Sequence, residues 1–278
     1  MLVDKPAGVT SHDVVNDARR ALRTRRIGHA GTLDPFATGL LVLLVGHATR
    51  LLPHLNGEPK VYRATISFGT ETDTDDVTGS VTRNARLPDA SRVREAISAL
   101  TGAIDQVPPA YSAKQVGGRR AYAAARRGEA LALAPVRVSV HAWEIREMSD
   151  ERLDAVITCG GGTYIRALAR DLGRLCDSAA HLSSLRRTHS GSFDVANATS
   201  IEDLRAGIAS PEPPRAAVPH LPAITLSADE VRHVRQGRAI SAAVTDSTAA
   251  LVDAAGGLVA IAESVGERWQ PRVVLPDA

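Results

Sequence analysis

Five prolines, at positions 211, 213, 214, 219 and 222, crowd into one short stretch and set the organisation of the chain. Each fixes φ and lacks a backbone donor, so neither a helix interior nor a central strand runs through them. The stretch reads as a linker over 210–222. Residues 1–209 ahead of it are enough for one large domain. Residues 223–278 behind it carry short strand and helix signals, the size of a small appended module.

Within the large part, hydrophobic periodicity predicts the elements. Ser11 reads as the N-cap of a helix to about Thr24, with Val14, Val15, Ala18 and Leu22 on one face. Leu40 to Val45 reads as a buried strand. In residues 60–68, Tyr62, Ala64, Ile66 and Phe68 alternate along one side of a half-buried strand. Residues 69–80 hold Glu71, Asp73, Asp75 and Asp76 but lack EF-hand spacing, so they read as a solvated or hairpin loop. A helix near 91–100, a basic segment over 106–128, strands near 136–146 and 153–159, a helix ending near Leu175, and a turn with a strand over 182–195 complete the series.

Composition narrows the function classes. The chain is 44% hydrophobic and 23% charged, with a formal charge of +2, as expected of an ordinary folded protein. Cys159 and Cys176 have no metal-type spacing and form no paired framework, which points to a reducing cytoplasm. No signal peptide opens the chain, and no apolar run is long enough to span a bilayer, so no membrane partner is expected.

Residues 28–39 read Gly-His-Ala-Gly-Thr-Leu-Asp-Pro-Phe-Ala-Thr-Gly. Pro35 biases Asp34 toward an extended or turn conformation, and Gly31 and Gly39 permit tight turning or close approach. The stretch reads as a loop presenting one carboxylate, with His29 beside it. Basic clusters occur at Arg19, Arg20, Arg23, Arg25 and Arg26, at Lys114, Arg119, Arg120, Arg126 and Arg127 among Tyr111 and Tyr122, and at Arg186 and Arg187. Such clusters suit phosphate neutralisation, and the tyrosines suit base stacking. Gly160-Gly161-Gly162 lacks the ending of a P-loop and the full dinucleotide fingerprint. On an extended stretch Tyr164 and Arg166 face the same side, where guanidinium and phenol can together hold a carboxylate.

Several of these blocks together resemble the TruB family of tRNA pseudouridine synthases. They are Lys5 to Ser11, Arg26 to Gly39, Lys60-Val-Tyr62, Gln106 to Ala113, Gly161 to Arg166 and Leu182 to Thr188, in family order over about residues 3 to 195. The resemblance implies an α+β fold, a large mixed, mostly antiparallel sheet with flanking helices and loops. It adds a small C-terminal β-rich module of the PUA type. The family's first strand is expected to be short here.

The resemblance also implies an isomerase acting on uridine 55 in the T loop of tRNA. The base is detached from N1, turned and rejoined through C5, on a flipped-out nucleotide. No cofactor and no metal are expected, and the partner is the T arm of tRNA, bound by a monomer. Carried over residue by residue, Asp34 is the catalytic carboxylate and Tyr62 stacks on the target base. Arg166 pairs with Asp34 and keeps it ionised, Tyr164 contacts nucleotide and aspartate, Leu185 walls the base pocket, and His29 stands where the extruded base came from. Lys5 and Pro6 shape the loop beneath Asp34. Residues 106–128 correspond to a mobile thumb-like insertion. Two other readings stay open: a non-catalytic tRNA-binding or folding protein, and a nucleosidase using the same carboxylate.

Overall fold

The structure, a computed structural model, describes residues 1–112, 114–116, 119–120, 127, 129, 132–241 and 246–276. Tyr122 and Arg126, assigned above to the basic thumb segment, lie outside these residues. The large part is built on one mixed sheet. Its path runs through Thr199–Ser200, Leu2–Lys5, Thr38–Val45, Ala180–Ser190, Lys60–Phe68, Arg152–Cys159, Val136–Met148 and Gly102–Gln106. Leu2–Lys5 pairs parallel to Thr199–Ser200, and Ala180–Ser190 pairs parallel to Thr38–Val45; every other neighbour on the path is antiparallel.

Alternation dictates which face is covered. Tyr62, Ala64, Ile66 and Phe68 are buried, as the period of two requires. They share a core with Val93, Ala96 and Ile97 of the Ala90–Ala99 helix and with Leu168 and Leu172 of the Ile165–Leu175 helix. Burying a leucine of this kind stabilises the fold by about 1.5–3 kcal/mol. The Ser11–Ala21 helix packs Val14, Val15 and Ala18 against Val3, Leu41 and Leu43 in a second core.

Two expectations on that helix shift. The N-cap is Thr10, not Ser11: the Thr10 side chain accepts from the Asp13 amide, and Asp13 answers in a capping box. The helix stops at Ala21, and Arg23 has φ 49° in the left-handed region, so the chain has turned before Thr24.

The acidic stretch takes the hairpin alternative: Thr70–Thr72 pairs antiparallel with Val81–Asn84. It is not solvated: Glu71, Asp75 and Asp76 are buried, because arginines of the Ile165–Leu175 helix reach them.

The C-terminal part forms a five-stranded sheet in the order Ala223–Thr225, Thr248–Val252, Leu258–Val265, Arg268–Val274, Ile240–Ser241. The proline-rich stretch is packed against it. Val218 is fully buried with Ala250, Val252 and Ile261, and Leu51 of the large part completes this cluster. Among the described residues, no helix is long and apolar enough to cross a membrane.

Candidate active site

The loop carrying Asp34 joins the Ile27–His29 and Thr38–Val45 strands and is pinned from below. Lys5 is fully buried, and its ammonium donates to the carbonyls of Pro6 at 2.8 Å, Val9 at 2.9 Å and Pro35 at 3.3 Å. This is the shaping role expected of it. Burial lowers its pKa to about 8. Ser11, freed from capping, accepts from the Leu33 amide at 2.9 Å and donates to the Leu33 carbonyl at 3.0 Å. The residue before Asp34 is thereby held on both backbone groups. At the loop's far end Gly39 has φ +100°, and a Cβ there would lie 2.2 Å from the Arg187 carbonyl oxygen. Only glycine fits this approach between neighbouring strands.

Arg166 reaches this loop from the first turn of the Ile165–Leu175 helix. Its Nε donates to Asp34 Oδ2 at 2.9 Å and its Nη2 to Asp34 Oδ1 at 3.1 Å. The other donors go to the Thr74 carbonyl at 2.8 Å and the Tyr111 carbonyl at 2.9 Å, and Asp76 lies 3.4 Å from Nη1. The pairing follows expectation, but the local geometry does not. Arg166 is helical and Tyr164 is the N-cap, so the two are not alternate residues of an extended stretch. Gln106 fixes the turn instead: its amide accepts from the Tyr164 N–H at 2.8 Å and donates to the Tyr164 carbonyl at 3.0 Å.

The same helix repeats the device at intervals of four residues, one helical turn apart. Arg170 pairs with Asp75 at 2.8 Å and Arg174 with Glu71 at 2.7 Å. Arg170 also donates to the Val107 carbonyl at 2.8 Å. The acidic stretch and residues 107–111 are thus tied to the helix that carries Arg166.

These elements enclose a cavity of about 260 Å³. Asp34, Tyr62, Tyr164, Arg166 and Leu185 line it together. His29 is not among its lining residues; it lies on the Ile27–His29 strand, its pKa lowered by burial and by Arg187 and His12. Lys60, Ser112 and Arg187 also line the cavity, and sequence reading assigned none of them to it. A signal existed for two of them. Lys60 stands two residues before Tyr62, and Arg187 two after Leu185, each on the same strand. Arg187 is 1% exposed and donates to the carbonyls of Leu40 at 2.8 Å and Gly31 at 3.1 Å. Arg186 is held bidentately by Asp4. The pair 186–187 is therefore no open phosphate patch, because one guanidinium is buried on carbonyls and the other is neutralised.

Burial pushes the Asp34 carboxyl above its ordinary value, against the pull of the Arg166 guanidinium, and Asp76 adds to the rise. Burial likewise raises the Tyr62 phenol, so the ring stays neutral near pH 7. The arrangement is a polar floor with one carboxylate clamped in a fixed orientation, an aromatic wall and an apolar wall. That suits a flat, neutral ring lodged beside an oriented carboxylate.

Residues 19–165 match the family model described as TruB family pseudouridylate synthase (N terminal domain). The chain is 42% identical to tRNA pseudouridine synthase B of Arthrobacter sp. (strain FB24), over 99% of this chain and 95% of that one. It is 44% identical to the protein of the same name from Thermobifida fusca (strain YX), over 99% and 97%.

The chain belongs to the TruB family of pseudouridine synthases.

The TruB likeness continues past residue 165. Residues 166–217 match the tRNA pseudouridylate synthase B C-terminal domain, and residues 221–276 match tRNA Pseudouridine synthase II, C terminal. The fold matches a chain from a solved H/ACA RNP bound to a substrate RNA containing 2'-deoxyuridine. The TM-score is 0.72 at 22% identity, covering 99% of this chain and 84% of that one. At that identity the likeness speaks for the fold.

Proposed function

We propose that this protein converts uridine 55 in the T loop of tRNA to pseudouridine, with Asp34 as the catalytic carboxylate. The observation that carries the reading is the Arg166–Asp34 pair, bidentate and facing a cavity walled by Tyr62 and Leu185. The reaction is an isomerisation. The C1′–N1 bond breaks and a C1′–C5 bond forms, while the C5 proton leaves and N1 is protonated. Atoms and electrons balance within the nucleotide, so the chemistry requires a positioned carboxylate and a place for the detached ring to turn.

In this reading the target base leaves the loop's stack and lies against the Tyr62 ring, with Leu185 closing the opposite side. Arg166 orients Asp34 and favours its ionised form, Tyr164 contacts nucleotide and aspartate, and His29 occupies the gap the base leaves. Residues 106–128 close over the T arm, and exposed Arg23 and Arg25 at the end of the first helix add phosphate contacts. The C-terminal module, with Arg238 and Arg268 exposed, supplies a further PUA-like RNA contact. The enzyme works as a monomer in the cytoplasm.

The test is pseudouridine mapping of an unmodified tRNA transcript and of one carrying cytidine at position 55. The reading expects a single new pseudouridine at position 55 of the first and none in the second. Pseudouridine elsewhere, or free uracil released from the transcript, would contradict it.

A further inference from the structure

Two cations of the cavity form no close ion pair, although the Glu58 carboxylate approaches Lys60 beside Gly161. Among the described residues, neither Arg187 nor Lys60 has a carboxylate within ion-pair distance. Arg187 is spent on backbone carbonyls. The Lys60 ammonium makes no hydrogen bond among the described residues, although the side chain is more than half buried in the cavity wall. Among the described residues Asp34 pairs with Arg166 and not with either cation. Keeping a second positive charge beside a buried guanidinium is costly unless an anion arrives to share it. The cost is visible in Lys60 itself: burial and Arg187 both lower its pKa, and only Glu58 and Cys159 oppose them.

Position says which part of a ligand the ammonium meets. Lys60 and Tyr62 share one face of the Lys60–Phe68 strand and stand roughly 6.6 Å apart along it. A Cβ built on Gly31 would lie 3.8 Å from Lys60 Nζ, and one on Gly161 would lie 3.7 Å from it. The ammonium therefore sits between the Asp34 loop and the glycine turn, to one side of the Tyr62 ring. A nucleotide whose base lies on Tyr62 must carry its sugar and phosphates off that ring.

We infer that Lys60, with Arg187 behind it, forms a phosphodiester subsite that takes a backbone phosphate flanking the flipped nucleotide. The inference rests on the reading of the cavity as a nucleotide site. Lys60 supplies the contact, and Arg187, fixed by carbonyls, supplies field. The subsite is a substrate-positioning device: it secures the nucleotide's backbone while the detached base turns.

The test compares wild type, Lys60→Met and Lys60→Arg with a tRNA transcript, measuring Kd over a range of salt, single-turnover kcat and KM, and melting without RNA. Lys60→Met is expected to weaken binding and raise KM about tenfold, with kcat within about threefold of wild type. The slope of log Kd against log salt falls by about 0.7–0.9, one phosphate contact. Lys60→Arg restores binding and slope, and RNA-free Lys60→Met melts at or above the wild-type temperature because a half-buried charge beside Arg187 is gone. Unchanged Kd and slope overturn the subsite. So does a loss confined to kcat, which assigns the lysine to the departing base instead. A lower melting temperature with no rescue by arginine also overturns it, making the residue structural. If wild type makes no pseudouridine, the nucleotide reading itself fails; if it does and the variants match it, only the subsite fails.

Discussion

Arg166 grips Asp34 with two donors, Nε to Oδ2 at 2.9 Å and Nη2 to Oδ1 at 3.1 Å, across 132 residues of sequence. The remaining donors hold the arginine to Thr74, Tyr111 and Asp76. One planar group thus joins the carboxylate, the acidic stretch and the base of the 106–128 segment.

That clamp predicts a shift in pH dependence. Burial raises the Asp34 pKa, and Arg166 opposes the rise by stabilising the ionised form. Arg166→Gln removes the opposition, so Asp34 takes up its proton at a higher pH. The acid limb of the kcat/KM profile should move upward in pH, and kcat should fall by on the order of 100-fold from lost orientation. Single-turnover rates between pH 5 and 8 check both.

The strand crossing at Gly39 predicts a sharp asymmetry between two glycines. Both Gly39 and Gly8 have positive φ, but a Cβ at Gly8 meets nothing within 4 Å whereas one at Gly39 meets the Arg187 carbonyl at 2.2 Å. Gly8→Ala should cost roughly 1 kcal/mol from backbone strain alone. Gly39→Ala should cost at least ~2 kcal/mol more and displace the Asp34 loop. Urea unfolding of the two variants measures the difference.

The Arg170–Asp75 pair predicts a stability signature. Burial raises the Asp75 pKa from 3.8 to about 6, although Arg170 lies 2.8 Å away. Between those values the folded chain holds a proton that the unfolded chain releases. The stability owed to this group therefore falls as pH rises through the window, by up to about 3 kcal/mol. The melting temperature of wild type relative to Asp75→Asn should drop between pH 4 and pH 6.5. A flat difference would show that Asp75 is ionised throughout.

What sequence makes legible here is local. The alternation of Tyr62, Ala64, Ile66 and Phe68 shows directly as a buried strand face, and glycine and proline around Asp34 mark a loop that displays it. What stays hidden is non-local pairing. Glu71, Asp75 and Asp76 read as a solvated or hairpin loop; the hairpin forms, but their burial is hidden because their arginines lie roughly ninety to a hundred residues downstream. Arg187 looks like part of an open basic patch because the carbonyls it satisfies come from another segment. Ser11 looks like a cap because its hydroxyl partner, Leu33, is twenty-two residues away, while Thr10 does the capping. The glycines before Tyr164 suggest an extended stretch, and only the Gln106 side chain shows why the helix starts there. The family resemblance named Asp34, His29, Tyr62, Tyr164, Arg166 and Leu185; the fold brings all but His29 to one cavity.

The central claim is that Asp34 performs the chemistry, and one comparison tests it most directly. Asp34→Asn keeps size and planarity but carries no charge. A tRNA transcript incubated with excess wild-type or variant protein is mapped for pseudouridine at position 55, with binding measured in parallel. The account predicts stoichiometric conversion by wild type, and no detectable conversion by Asp34→Asn despite Kd within about threefold of wild type. Conversion by the variant at the wild-type rate would contradict it.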